Sequence, residues 1–363
     1  MKIVSTSYIN TPEYNDPAKW LERISFYTGI LEKLAKHHEV ESIEQINYSG
    51  KLEQNKVIYH FLNFGDKKNL FPFKLHKYIK KLDPDIIFVN GFVFPLQILQ
   101  LRMELGNHVK IIIIHRSEKP FTGIKKHFQY LADKTVNAYL FTSHDFGNQW
   151  IGNGIIKDKN KIREAMHGSS SLKPLEKKTT RTLLAVDGTP LFLWVGRLNA
   201  NKDPLTIIKT FKKYSAIQPT ARLYMIYQTE ELIDEIKKTI GGNTAIILIG
   251  KTDHKNLEYW YSSADFIISG SHYEGGGIAI SESMSCGCIP IITDIISFRK
   301  MTGPGKCGFL YEPGNETQLL EVLLKTEEIN IELEREKVLR QFEEELSFES
   351  IAKKINKIID SLR

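Results

Sequence analysis

Short aliphatic runs alternate with longer amphipathic ones along the whole chain, and this rhythm limits the fold more than any other feature. Residues 2–7, 39–43, 56–61, 85–89, 109–115 and 138–142 read as strands in the first half. Residues 191–195, 222–227, 245–249, 265–269, 289–293 and 308–311 repeat the pattern in the second. Strands spaced by helical stretches make a parallel sheet wrapped by helices. Over 18–37, Trp20, Ile24, Tyr27, Leu31 and Leu34 recur at spacings of three and four, one apolar helical stripe. Asp16 followed by Pro17 supplies its start, an N-cap and a proline at the first helical position.

The chain has 363 residues, too many for one ordinary core and enough for two domains of about 150 to 200 each. Gly168-Ser-Ser-Ser-Leu-Lys-Pro and the polar stretch 176–181 make the best linker. We expect an α/β protein of two Rossmann-like domains, 1–170 and 182–345. A closing helix at about 346–363 carries Ile351, Ile355, Ile358, Ile359 and Leu362 on one face and is able to pack back on the first domain.

Hydrophobic residues at 42% and charged residues at 25% exclude a disordered, collagen-like or disulfide-scaffold chain. The longest aliphatic run, 111–114, is far below the roughly 20 residues that span a bilayer. The first residues lack the apolar stretch of a secretory signal, and three cysteines suit a reduced compartment, so a cytoplasmic chain is expected. Charge is uneven. Residues 1–168 hold 24 Lys/Arg against 17 Asp/Glu, whereas the rest hold 25 against 26. A basic first half implies an anionic partner: a phosphorylated substrate, a membrane surface or nucleic acid.

The chemistry is concentrated in the segment Ser269-Gly-Ser-His-Tyr-Glu-Gly-Gly-Gly-Ile-Ala-Ile-Ser-Glu-Ser-Met-Ser-Cys-Gly-Cys. A strand ends, a loop carries Glu274 and the glycines Gly275, Gly276 and Gly277, and a helix starts near Ile278 and stops at Gly287. Glycines let a backbone approach a ligand closely, and a helix N-terminus offers N–H groups and a positive dipole end to a diphosphate. Glu274 before the helix and Glu282 one turn inside it are placed to accept hydroxyls from two parts of an extended ligand. The plain alternative is a glycine loop for helix–strand packing flanked by two solvated glutamates.

A second segment, Val195-Gly-Arg-Leu-Asn-Ala-Asn-Lys-Asp-Pro, ends a strand at Gly196 and puts Arg197 and Lys202 in the loop before a helix. A guanidinium fork and an ammonium at a strand's carboxyl end suit phosphate oxygens. By itself this could equally be a capped helix beside surface cations.

Together the two segments resemble the donor-binding domain of the GT-B glycosyltransferases, in particular the large retaining family 4. Its GR-x4-K pattern matches from Gly196 to Lys202, and its E-x7-E pattern matches Glu274 to Glu282, with Met284 and Gly287 following. Residues 190 to about 325 carry the likeness, including the later Cys307-Gly-Phe-Leu-Tyr-Glu-Pro-Gly. The resemblance implies two Rossmann-like domains facing across a cleft. It implies that Arg197 and Lys202 neutralise the donor diphosphate and that Gly276, Gly277 and Ile278 offer backbone N–H groups. Glu274 would accept hydroxyls of the transferred sugar, and Glu282 those of the ribose. Retention in this family is thought to proceed on the front face, so no covalent nucleophile is assigned. No cofactor and no metal are expected, because the two cations and a helix N-terminus supply the positive field.

In the first half, His115 ends a strand, and family members often place a sugar-contacting histidine there; His144 and His167 also lie at strand ends. The first loop departs from the family, with no glycine until Gly29, and Tyr227-Gln-Thr-Glu stands where a glycine-rich turn is usual. Asp83-Pro-Asp85 precedes a strand and reads as an exposed turn, not a metal-binding pair. Cys286, Cys288 and Cys307 lack a fourth zinc ligand. The run 67–81 interleaves six lysines with Phe71, Phe73, Leu75, Tyr78 and Ile79; an ordinary helix is the first reading and a lipid-touching one the second.

The expected function is retaining transfer of a sugar from a nucleotide diphosphate sugar to an acceptor hydroxyl, in glycan, polysaccharide or glycolipid synthesis. Some related enzymes take lipid-linked acceptors, which admits a peripheral contact at the inner face of a membrane. The rivals are a sugar-nucleotide epimerase or phosphorylase on the same architecture and a non-catalytic sugar-nucleotide-binding protein. A nucleic-acid partner is not expected, because no module for one is present.

Overall fold

The computed structural model describes residues 1–64 and 71–362. The chain forms two compact units, Met1–Ser169 with Phe348–Arg363, and Ser170–Ser347.

The first unit runs β1 (Lys2–Ser7), α1 (Pro17–Arg23), α2 (Ser25–Leu34), β2 (Glu39–Gln45), β3 (Gly50–Gln54), β4 (Val57–Leu62), α3 (Phe73–Leu82) and β5 (Ile86–Asn90). It continues through α4 (Pro95–Leu105), β6 (Lys110–Ile114), α5 (Gly123–Asp133), β7 (Ala138–Phe141), α6 (His144–Gly152) and β8 (Ile162–Glu164). The eight strands lie in the order β3-β4-β2-β1-β5-β6-β7-β8, parallel except for β3. Central strands are apolar on both faces: Ile111, Ile112 and Ile113 are wholly buried.

Two local features differ from the sequence reading. The stripe over 18–37 is two helices, because Ile24 leaves helical torsions (φ −99°, ψ 10°). The break lets Trp20 and Tyr27 both turn onto the buried Glu44, donating to it at 3.0 and 2.8 Å. The antiparallel edge strand β3 pairs with β4 across Asn55 and Lys56, both at positive φ, the geometry of a two-residue type I′ hairpin. Asn-Lys lacks the glycine by which such turns are usually recognised.

The C-terminal helix, Phe348–Asp360, packs on α2 with Ile351, Ile355 and Ile359 buried. Lys36 Nζ donates to Glu349 at 2.8 Å, and the His38 ring meets Asn356 at 2.9 Å.

The second unit runs α7 (Lys177–Leu184), β9 (Leu191–Gly196), α8 (Pro204–Ile217), β10 (Arg222–Tyr227), α9 (Ile233–Ile240), β11 (Ile246–Gly250) and α10 (Leu257–Ser263). It goes on through β12 (Phe266–Ser269), α11 (Ile278–Ser285), β13 (Ile289–Thr293), α12 (Ile296–Thr302), β14 (Phe309–Tyr311), α13 (Glu316–Lys325) and α14 (Ile331–Gln341). Its six strands are all parallel, in the order β11-β10-β9-β12-β13-β14. The chain builds outward from β9 to β11, then returns to lay β12 on the other side of β9. The loops leaving β9 and β12 therefore diverge at a topological switch point, where open α/β sheets bind ligands.

Candidate active site

The two segments singled out in the sequence are the two loops at that switch point. Asp203, in the left-handed region at φ 41°, caps α8 by accepting from Thr206 N–H at 3.2 Å, and Pro204 follows at the first helical position. Across from it, Gly277 (φ +53°) is the N-cap of α11. A β-carbon at Gly277 would lie 2.8 Å from the Phe298 ring and 3.0 Å from Met301 sulfur. With no side chain at the cap, the first-turn N–H groups of α11 have no side-chain acceptor and are left for a ligand.

The loops are stapled together. His272 N–H donates to Asn201 O at 2.8 Å, and Asn201 Nδ2 donates to Tyr273 O at 3.0 Å. The His272 ring reaches Asp203 at 3.1 Å. Gly270 permits this approach: a β-carbon there would sit 2.9 Å from Asp203 O and 3.2 Å from Lys202 O. From beneath, Thr293 Oγ1 donates to Ser271 O at 2.5 Å and Tyr311 Oη to Ser269 O at 3.0 Å.

On this platform Lys202 Nζ forms an ion pair with Glu274 Oε1, and Ser271 Oγ donates to the same oxygen at 2.8 Å. Arg197 is exposed, and its guanidinium makes no ion pair among the described residues. The site thus holds one free cation, one internally neutralised cation and an uncapped helix N-terminus, a set that suits an anion with two or more phosphate groups.

Glu282 is only 6% exposed on α11. Tyr261 Oη donates to its Oε2 at 3.0 Å, and the half-exposed His254 ring meets its Oε1 at 2.7 Å. Tyr261 and Glu282 form a buried pair, and the adjacent carboxylate, after burial, drives the phenol pKa well above its usual value. His254 follows Lys251, Thr252 and Asp253 in the loop after β11, beside a groove of about 610 Å³ also lined by Tyr259 and Trp260. Sequence reading did not find Ser271, Gly270, Tyr261 or His254. Gly270 and Ser271 lay inside the segment already singled out, whereas nothing in the spacing ties His254 or Tyr261 to Glu282.

In the first unit, His115 follows β6 and is 3% exposed, its ring 4.4 Å from Phe141 and 5.3 Å from Trp150 between centroids. Its Nδ1 accepts from Ser117 N–H at 3.1 Å, and its Nε2 lies 3.2 Å from Glu118 Oε2. Burial depresses its pKa to about 4, against the opposing pull of Glu118. Direct contact with a sugar would require this turn to move. Glu118 joins two loops by accepting from Phe92 N–H at 3.0 Å and Arg116 N–H at 2.8 Å. Arg116 is fixed by Asn90 Oδ1 at 2.6 and 3.2 Å and by His167 O at 3.1 Å. His144 is exposed at the start of α6, and burial holds the His167 pKa well below its usual value. The glycine-free first loop turns Tyr8 inward, where its hydroxyl meets His76 at 3.0 Å and donates to Gln97 O at 3.2 Å.

The three cysteines are buried free thiols, with Cys286 and Cys307 pushed up to about 12 by burial. Among the described residues no cluster of three or more His, Cys, Asp or Glu is placed to hold a metal ion, and no helix is long and apolar enough to cross a membrane. Of the run 67–81, residues 67–70 lie outside the described residues; the remainder is α3 with the turn before it.

Residues 176–345 match the model of the family described as glycosyl transferases group 1. A Campylobacter jejuni protein, N-acetylgalactosamine-N,N'-diacetylbacillosaminyl-diphospho-undecaprenol 4-alpha-N-acetylgalactosaminyltransferase, is 24% identical over 269 residues, covering 69% of this chain and 70% of that one. Poly(glycerol-phosphate) alpha-glucosyltransferase of Bacillus subtilis is 29% identical over 135 residues, 36% of this chain and 20% of its own length. Among solved structures, Anabaena HepE in complex with UDP superposes with a TM-score of 0.77 at 14% identity, covering 99% of this chain and 100% of that one. That last likeness is one of fold.

Proposed function

Because the chain belongs to the group 1 glycosyl transferases, enzymes that move a sugar from a nucleotide-sugar donor, we propose that the donor is a UDP-sugar and the acceptor a hydroxyl on a lipid-linked saccharide. The observation that carries the donor assignment is the pairing of Lys202 with Glu274 under the uncapped start of α11, beside the unpaired Arg197. When a diphosphate enters, Lys202 exchanges Glu274 for phosphate oxygen, and Glu274 is released to accept hydroxyls of the transferred sugar. Charge on the leaving diphosphate grows in the transition state, so Arg197, Lys202 and the N–H groups of Gly276, Gly277 and Ile278 stabilise that state more than the bound donor. Glu282, held by Tyr261, accepts the ribose hydroxyls. Ribose there sets the base beside Lys251 and Thr252, in the groove after β11.

The UDP bound to HepE and the alpha-linked products named for both curated relatives support this reading, as does the undecaprenol-linked acceptor of the Campylobacter jejuni enzyme. On the acceptor side, His115 is a positioning residue: neutral and buried, it braces Glu118, which ties the loops after β5 and β6. An acceptor of this kind sets the enzyme at the inner face of a membrane.

Thermal shift with UDP, GDP, ADP and NAD tests the donor assignment. UDP alone should raise the melting temperature, and Glu282→Ala should abolish the rise. A rise with GDP or ADP instead would overturn the base, and no rise with any diphosphate would overturn the donor site.

A further inference from the structure

The first unit carries an exposed feature that sugar transfer does not use. Helix α4 packs against both α3 and α5, and each of the three runs from the carboxyl edge of the sheet back toward the start of the next strand. The first turns of α3 and α5 therefore share one rim, about 20 Å apart at two interhelical spacings.

At the α3 end, the Phe71 and Phe73 rings stack 5.9 Å apart at 20° and are 57% and 56% exposed. The helix has already buried its apolar stripe, Leu75 and Ile79, so these rings are surplus to its packing. Lys74 and Lys77 in the turns that follow are exposed and make no ion pair among the described residues; at the far end of the helix, Lys80 pairs with Glu104 at 3.1 Å. At the α5 end, Ile124 is 76% exposed, and Lys125 lies 5.7 Å over the Phe121 ring. Neither Lys125 nor Lys126 is ion-paired among the described residues. Neither helix has an acidic residue in its first turn. Lysines at the positive end of a helix dipole are locally unfavourable, and an external anion relieves that cost.

We propose that this rim docks the protein on a bilayer containing anionic lipid. Phe71, Phe73 and Ile124 enter the headgroup region, and Lys74, Lys77, Lys125 and Lys126 pair with lipid phosphates. A bilayer uses all three apolar side chains, whereas Ile124 offers no stacking face to a nucleic-acid base. The proposal gives the lipid-linked acceptor reading a surface, and rests on no step of the transfer.

The test is co-sedimentation with vesicles of phosphatidylcholine alone or mixed with phosphatidylglycerol, on the full chain. Wild type should bind the mixed vesicles and lose affinity between about 0.05 and 0.5 M salt. Lys74→Glu with Lys77→Glu should weaken binding about twentyfold or more, and Phe71→Ser with Phe73→Ser about tenfold. Both variants change exposed side chains and should keep the wild-type melting temperature and its UDP-induced rise. Equal binding to both vesicle types, no binding to either, variants that bind like wild type, or tighter binding to duplex DNA than to vesicles would each overturn the docking surface. Loss of the UDP rise in wild type with vesicle binding intact would overturn the donor assignment and leave the docking surface standing.

Discussion

Lys202 and Glu274 neutralise one another across the switch point of the second sheet, with Ser271 Oγ donating to the same carboxylate oxygen at 2.8 Å. Each residue comes from a different loop, and in the proposed donor site each is the group the other releases when a diphosphate sugar binds. The ion pair thus leaves neither charge without a partner.

Removing either partner should separate activity from stability. The pair is partly solvated, so Lys202→Ala or Glu274→Ala should change stability by about 1 kcal/mol or less. Turnover of the donor should fall about 100- to 1000-fold, because each group acts on charge that develops in the transition state. Urea denaturation and initial rates on the same preparations check both halves.

Gly270→Ala should damage the site from underneath. Its β-carbon would press on the Asp203 and Lys202 carbonyl oxygens, forcing the stapled loops apart at a cost of about 1–3 kcal/mol. Donor affinity should drop with it, although residue 270 touches no ligand. A glycine-to-alanine variant with wild-type UDP affinity would show that the loops tolerate separation.

Glu282 has two partners of different kinds, and they should behave oppositely. Tyr261→Phe leaves a buried carboxylate one donor short and should destabilise the protein by about 1–3 kcal/mol while weakening UDP binding. The His254 side chain is half exposed and occupies Glu282 Oε1, an oxygen proposed to accept a ribose hydroxyl. His254→Ala should leave the melting temperature within a degree or two and tighten UDP binding severalfold. Calorimetric titration of UDP into the two variants reads the difference.

Acid should weaken the first unit through its buried histidines. His76 and His115 are held neutral by burial, each at about 4 against 6.5, and His167 lies well below 6.5. At these three histidines the unfolded chain therefore binds more protons than the folded one between pH 6.5 and 4, whereas burial raises the Glu44 carboxyl and acts in the opposite sense. The stability contributed by these histidines is fully present above 6.5 and falls as pH drops through that window, by about 3 kcal/mol or less for each of His76 and His115. Melting curves at pH 7 and 5 should show the fall, and His76→Phe should reduce it.

The parallel sheets and the paired loops at the switch point were legible because both depend on local patterns. Apolar runs such as residues 222–227 and 289–293 end where strands β10 and β13 end. The platform needs a strand, a glycine loop and a helix start, all contiguous in sequence. What escaped reading depends on neighbours brought close only by the fold. The Tyr261 and His254 contacts with Glu282 cross 21 and 28 residues. The split at Ile24 answers to Glu44 on another element. Phe71 and Phe73 fit an apolar stripe by spacing, but both lie outside the face that Leu75 and Ile79 bury.

Proton NMR of the enzyme with a UDP-hexose, followed from the first minutes, addresses the central claim most directly. Slow hydrolysis of the donor should release UDP and the alpha anomer of the free sugar before mutarotation, and Glu274→Ala should stop both. Release of the beta anomer first, or UDP release that persists unchanged in Glu274→Ala, would contradict retaining transfer at this site.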